Sequence, residues 1–346
     1  MQTVVALLPN DAWSLCTLGV TYQELGRLSE AEAIYRRTLQ IKPDFAEVHN
    51  NLGNTLAKLG RLDEAEKSYR NALAIKPEYF ETHNNLGNTL VNLGRLDESV
   101  ACYIHALEIA PNFVEAHFNL GNTLWNLGLV ANAEASYLKA LEIDPDYSDA
   151  LNNLALLFNV QGKTIMALNA IRQSLRIKET GKAKSIFVTC VRSRPFTAYD
   201  IEIGNIMICA LTEPWGRPAH MIPAAIDLIK LKLSIAGRIS LANHRWTLRL
   251  PAHDLFKSND LVALADEPLL CAVLESAPIC DVAMERFLTL ARYSLLEAAC
   301  QALQTDNEVC VALNFYSALA RQCFINEYVF SYGGEEFKKR SICEMR

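Results

Sequence analysis

The chain has 346 residues, 51% of them hydrophobic and 21% charged, with a formal net charge of −6. That length suits two compact units, and the apolar and charged fractions fit a folded globular chain and exclude a disordered one. Modest acidity, with no basic run longer than Lys338-Lys339-Arg340, excludes a phosphate-tracking nucleic-acid surface, and no apolar stretch reaches the roughly 20 residues of a membrane span.

Residues 1–11 read as a cap or as the tail of an earlier second helix, with Val4 to Leu8 standing before Pro9. From residue 12 the chain repeats itself every 34 residues up to residue 181. Proline recurs at Pro9, Pro43, Pro77, Pro111 and Pro145. One glycine column runs Gly19, Gly53, Gly87 and Gly121, with Ala155 as its fifth member, and a second runs Gly26, Gly60, Gly94, Gly128 and Gly162. Tyr35, Tyr69, Tyr103 and Tyr137 form another column, closed by Ile171. A period of this size predicts stacked supersecondary units, here 12–45, 46–79, 80–113, 114–147 and 148–181.

One unit shows its own structure. In 46–79, Leu52, Leu56 and Leu59 place an apolar stripe on one helix face. Gly60 stops that helix, because glycine tolerates a left-handed C-terminal turn. Asp63 to Ile75 restarts the helical pattern, with Ala65, Tyr69, Ala72 and Leu73 inward, and Pro77 ends it. Small residues at Gly53, Ala65 and Ala72 let the two helices approach closely. Leu52, Gly53, Leu56, Ala65, Tyr69, Ala72 and Pro77 resemble the signature of the tetratricopeptide repeat, in order. The resemblance implies an all-α fold: a superhelix of about five helix-turn-helix repeats, followed by an irregular helical domain.

The first helices also carry polar columns. Asn51, Asn85, Asn119 and Asn153 recur at the period, as do Asn54, Asn88 and Asn122 three residues further on. Residues i and i+3 share a helix face, so the two columns run side by side. Tetratricopeptide first helices line a concave groove, and the resemblance places these amides there. An amide both donates and accepts, so such a ladder suits the backbone of an extended peptide. At about 1 kcal/mol net per bond, the expected binding is weak and tolerant of sequence. Bonding between neighbouring repeats, or copying by duplication, would also produce the columns. Against copying, the fourth unit has diverged at Phe118, Trp125 and Leu129 yet keeps Asn119 and Asn122. The phrase HNNLGNTL, at His49 to Leu56 and again at His83 to Leu90, resembles the repeats of O-linked N-acetylglucosamine transferases, where an asparagine ladder is a hallmark. Glu47, Glu81, Glu115 and Asp149 flank the ladder and favour a basic ligand. Trp125 is the candidate anchor on this face.

Other residues read as structural. His49, His83 and His117 form a column, but helices packed about 8–10 Å apart do not bring successive copies to the 2 Å or so that zinc requires. The ten cysteines include no CxxC pair and read as reduced thiols of a cytosolic protein. The start of the chain lacks the pattern of a signal peptide.

Beyond Gly181-Lys182 the period stops. Helices are expected over Ala183–Cys190, Tyr199–Leu211, Ile222–Ser234, Glu267–Glu275, Val282–Leu303 and Glu308–Val329, the last opened by a Thr305/Glu308 capping box. Together 182–346 forms a second, helical domain. LTEPWGRP (Leu211–Pro218), LLCAVLESAPICDVAMERFLTLAR (Leu269–Arg292) and LARQCFINEYVF (Leu319–Phe330) resemble the helical segment between tetratricopeptide repeats and an S-adenosylmethionine-dependent methyltransferase domain in certain bacterial proteins. No strand with a glycine-rich turn follows, and Asp200, Glu202, Glu213, His220, His244 and His253 show no catalytic spacing. The expectation is a non-catalytic scaffold without cofactor or metal that binds a protein or peptide. A methyltransferase or glycosyltransferase domain is the catalytic partner implied by the resemblances.

Overall fold

A computed structural model describes residues 11–192, 196, 198–213, 215–248, 264, 267–276, 279–304 and 319. Every regular element among them is a helix. The periodic stretch forms α1 (Ala12–Glu24), α2 (Leu28–Ile41), α3 (Ala46–Lys58), α4 (Leu62–Ile75), α5 (Phe80–Asn92), α6 (Leu96–Ile109), α7 (Val114–Asn126), α8 (Val130–Ile143), α9 (Ser148–Val160) and α10 (Thr164–Ile177). The chain divides into two compact units, Met1–Leu157 and Phe158–Arg346, and the division falls inside α9.

In the first unit the hairpins α1–α2, α3–α4, α5–α6 and α7–α8 stack in order. Each second helix packs on the first helix of the next hairpin, and neighbouring first helices also touch. The turn inside each hairpin depends on backbone chemistry. Gly26, Gly60, Gly94 and Gly128 have φ between 73° and 77°, a region costly for residues with a Cβ. At Gly60 the left-handed step lets the Arg61 amide donate to the Leu56 carbonyl at 2.9 Å, which satisfies an orphan carbonyl of α3.

The other glycine column has a different cause. A Cβ on Gly53 would stand 2.6 Å from Cε1 of Tyr69, and the same clash recurs between Gly19 and Tyr35, Gly87 and Tyr103, and Gly121 and Tyr137. These four tyrosines are almost wholly buried, and each ring fills the space a side chain would take. Ala31, Ala65, Ser99 and Ala133 on the second helices are fully buried as well, as close helix approach requires.

A lattice of ion pairs ties the second helices together. Arg61 pairs with Glu64 on its own helix at 2.6 Å and with Glu32 of the preceding hairpin at 2.8 Å. Arg95 repeats this with Glu98 at 2.5 Å and Glu66 at 2.7 Å. In the fourth hairpin the arginine slot is Leu129 and the glutamate slot is Asn132, so this copy lacks that pair.

The second unit contains α10 followed by α11 (Gly181–Arg192), α12 (Ile201–Thr212), α13 (Ile222–Leu231), α14 (Leu233–Leu248), α15 (Pro268–Ser276) and α16 (Val282–Gln304). Here α10 packs on α11, α12 on α15, α13 on α14 and α15, and α14 on α16. The expected helix over 222–234 is interrupted. Lys232 is extended (φ −72°, ψ 116°), and a separate helix, α14, begins at Leu233, which the sequence reading did not anticipate. Lys232 leaves the helical path with its ammonium bonded to Glu267 and placed over the ring of Tyr199. These partners lie far away in sequence. The Thr305/Glu308 box and the helix over 308–329 lie outside the described residues.

Candidate functional site

The first helices carry a third asparagine column that the sequence reading passed over: Asn50, Asn84 and Asn152, all buried. Its signal was present in the repeated Asn-Asn pairs at 50–51, 84–85 and 152–153. The fourth copy has Phe118 in this slot.

This buried column receives bonds from the next hairpin. The Asn85 side-chain amide donates to Asn50 Oδ1 at 3.2 Å, and that of Asn119 donates to Asn84 Oδ1 at 3.0 Å. Thr82 adds a bond to Asn50 Oδ1 at 3.0 Å. Asn153 would meet Phe118 in the same register, and it donates to Asn122 Oδ1 at 2.7 Å instead. Asn51 has Cys16 in the corresponding place, and its Oδ1 accepts from Asn50 Nδ2 at 3.4 Å.

The column at 54, 88 and 122 bonds within its own hairpin. The buried Tyr69, Tyr103 and Tyr137 hydroxyls donate to Oδ1 of Asn54, Asn88 and Asn122 at 2.8, 2.7 and 2.7 Å. In the first hairpin, where Val20 replaces the asparagine, Tyr35 donates to Gln23 Oε1 at 3.2 Å. Burial pushes the phenols of Tyr69 and Tyr103 well above their ordinary range and that of Tyr137 up to about 12. All three therefore remain donors at any physiological pH.

Asn54, Asn85, Asn88, Asn119 and Asn122 thus each commit one end of the amide to the protein. Asn54, Asn88 and Asn122 use their oxygens, and their Nδ2 groups have no partner among the described residues. Asn85 and Asn119 use their Nδ2 groups, and their oxygens have none among the described residues. Asn88 is exposed and the other amides of these two columns are half-buried. Trp125, also half-buried, sits edge-on to Tyr137 with ring centroids 6.5 Å apart, one turn from Asn122.

Glu47, Glu81, Glu115 and Asp149 are exposed. Burial raises the phenols of Tyr79 and Tyr147, and neighbouring carboxylates raise them further: Glu47 and Glu81 for Tyr79, Glu115 and Asp149 for Tyr147. His49, His83 and His117 have a local task. Each ring Nε2 lies 2.9 Å from the carbonyl of Pro43, Pro77 or Pro111, tying a helix start to the turn before it. Among the described residues no group of three metal-ligating side chains converges.

The acids singled out in the second unit hold helices in place. Asp200 caps α12 by accepting from the amides of Glu202 (2.9 Å) and Ile203 (3.1 Å). Glu202 pairs with Arg172 at 2.8 Å. Glu213 accepts from Trp215 at 2.6 Å and Lys184 at 3.0 Å, and these bonds hold its carboxyl below the ordinary glutamate range.

Stacked helical hairpins with a glycine–tyrosine lock and an amide-bearing face define a repeat scaffold. Residues 21–60, 53–94 and 87–128 match a family model described as TPR repeat, and residues 114–147 and 136–169 match two described as tetratricopeptide repeat. Residues 21–169 are tetratricopeptide repeats. The structure is similar to one from a study titled as a functional characterization of Pseudomonas aeruginosa pilF, with a TM-score of 0.51 and 17% identity over 64% of this chain and 91% of that one. It is also similar to YrrB, titled a TPR protein with an unusual peptide-binding site (TM-score 0.44, 22% identity, 53% and 94% covered). A third is a thermophilic TPR protein of Thermus thermophilus (TM-score 0.42, 25% identity, 49% and 92% covered). No curated protein matches the sequence.

Proposed function

We propose that the repeat array is a protein-interaction scaffold that holds an extended peptide segment along its asparagine-bearing face, without chemistry of its own. The observation that carries this reading is the unbonded half of each amide: Nδ2 of Asn54, Asn88 and Asn122, and Oδ1 of Asn85 and Asn119. Asn51 and Asn153 extend the row at its two ends, and Trp125 offers flat apolar surface beside it, as interface anchors do. A tyrosine-bonded amide has restricted rotamers, so less side-chain entropy is lost when a ligand binds. Exposed carboxylates at 47, 81 and 115 add attraction for basic segments.

The seam bonds determine how to test this. Alanine at 85 or 119 would disturb the stack, whereas Asn→Asp at 54, 88 and 122 keeps an oxygen for each tyrosine and removes only the outward donor. The experiment measures affinity for lysine-containing unstructured peptides in the triple aspartate variant, with Asn71→Asp/Asn92→Asp/Asn126→Asp, at three exposed asparagines, as a control for added charge. Weaker binding in the triple variant than in the control is expected. Equal affinity overturns the proposal.

Association of the second unit with a methyltransferase domain, or of the repeats with a glycosyltransferase, rests on the sequence phrases alone. This chain is expected neither to bind S-adenosylmethionine nor to transfer sugar from a sugar nucleotide. Calorimetric binding or turnover would overturn the non-catalytic reading.

A further inference from the structure

We infer that each rung of this face is split between two residues, an acceptor from one asparagine and a donor from the next, and that its ligand is a left-handed, three-residue-per-turn extended chain. The inference rests on the peptide-binding reading and specifies the conformation of the partner.

A free asparagine could grip a peptide with both ends of one amide. Asn85 and Asn119 cannot, because their Nδ2 groups are bound to Asn50 and Asn84 at 3.2 and 3.0 Å. Asn88 is restricted on its other end by the Tyr103 hydroxyl at 2.7 Å. Asn122 is restricted twice, since its oxygen accepts both Tyr137 and Asn153, each at 2.7 Å. The rungs that remain are Asn85 Oδ1 with Asn88 Nδ2, and Asn119 Oδ1 with Asn122 Nδ2. Residues three apart on a helix have Cβ atoms about 5–6 Å apart. In a chain with three residues per turn, each N–H is antiparallel to the preceding carbonyl across a trans peptide and so lies about 60° around the axis from its own residue's C=O, which lets one rung seat one residue.

Rung spacing then selects the conformation. The two rungs stand on α5 and α7, which touch, and packed helices lie about 8–10 Å apart. A β-strand returns to the same side every two residues, about 6.6 Å, or every four, about 13 Å. Neither matches. A polyproline II chain returns every three residues, at about 3.1 Å each, hence about 9 Å, and it has no internal hydrogen bonds. The ligand must supply an N–H once in every three residues, and proline is admitted at the other two.

The test uses N-acetylated, C-amidated twelve-residue peptides with no flanking residues: (Ala-Pro-Pro)4, (Ala-Pro)6, an all-proline dodecamer and an unrestricted glycine–serine–alanine sequence. Binding to the full chain is read from the side-chain amide signals of Asn88 and Asn122 in nitrogen-15 spectra. With a three-residue register, (Ala-Pro)6 can satisfy the N–H requirement at only one of the two rungs, and the all-proline peptide at neither. Expected affinities fall about fivefold from (Ala-Pro-Pro)4 to (Ala-Pro)6 and about fivefold again to the all-proline peptide, at roughly 1 kcal/mol per bond. Equal binding of (Ala-Pro-Pro)4 and (Ala-Pro)6, or binding of the unrestricted peptide alone, overturns the three-residue register and leaves the peptide reading standing. No binding by any of the four overturns both.

Discussion

A Cβ on Gly87 would stand 2.6 Å from Cε1 of Tyr103, closer than real Cβ contacts come. The glycine is there because a buried ring occupies its side-chain space. Gly87→Ala should therefore destabilise the array by about 1–3 kcal/mol, the usual cost of overpacking, measured as a lower urea midpoint at unchanged slope. The fifth copy has Ala155 with Ile171 in these two slots, which points to the rescue. In a Tyr103→Ile background, Gly87→Ala should cost clearly less, giving a positive coupling in the double-mutant cycle. Equal costs in both backgrounds would show that the ring is not the reason for the glycine.

The 34-residue period and the proline and glycine columns made the hairpins legible in the sequence, because each column answers to one local requirement. Gly60 announces a left-handed turn whatever surrounds it. The amide columns were legible as positions, but their partnerships were not. That Asn85 reaches Asn50 while Asn54 serves Tyr69 depends on how hairpins stack, and a repeat alignment puts every copy in the same register without saying which copy touches which. Phe118 was visible as a divergence, and only the stack shows that it redirects Asn153 to Asn122. In the second unit no period helped. At the break, Lys232 bonds Glu267 and lies over Tyr199, partners distant in sequence, and no proline or glycine marks the position.

Asn50 and Asn84 should differ in importance despite their shared slot. Asn50 Oδ1 accepts from both Thr82 and Asn85, and Thr82 is fully buried. The threonine slot of the next copy is Ala116, and Asn84 Oδ1 accepts from Asn119. Removing an acceptor that leaves a buried donor unsatisfied costs about 1–3 kcal/mol, whereas the half-buried Asn119 can turn to water. Asn50→Ala is expected to lower the unfolding midpoint more than Asn84→Ala, and Thr82→Ala should recover part of the loss. Identical midpoints would refute this ranking.

The arginine lattice predicts an acid-sensitive contribution to stability. Hydrogen bonds from Arg61 and Arg95 hold Glu64 and Glu98 below the ordinary glutamate range. A carboxylate with a lower pKa folded than unfolded stabilises above its unfolded pKa, and the contribution disappears as pH falls through the folded value. The window therefore lies below about pH 4.3, the ordinary glutamate value. Unfolding midpoints of the native chain should fall more steeply below that pH than those of Arg61→Gln/Arg95→Gln. Because the pairs are exposed, 1 M salt should reduce the difference. Parallel acid limbs would mean the lattice contributes nothing.

Thiol chemistry offers a map of burial that is independent of the repeats. Burial pushes Cys190 up to about 12, and Cys16 and Cys102 up to about 11, with nearby charges adjusting the last two. The thiolate is the nucleophile, so at pH 8 Cys190 is ionised about one part in 10^4, on top of the steric shielding of α11. Cys209 and Cys280 are exposed. Brief alkylation with iodoacetamide, read by peptide mass spectrometry, should mark Cys209 and Cys280 before Cys16, Cys102 and Cys190, which should stay unmodified until urea is added. Cys16 and Cys102 belong to the first unit and Cys190 to the second, so the urea concentration at which each becomes reactive reports the two units separately. Early labelling of Cys190 without denaturant would contradict the packing of α11 described above.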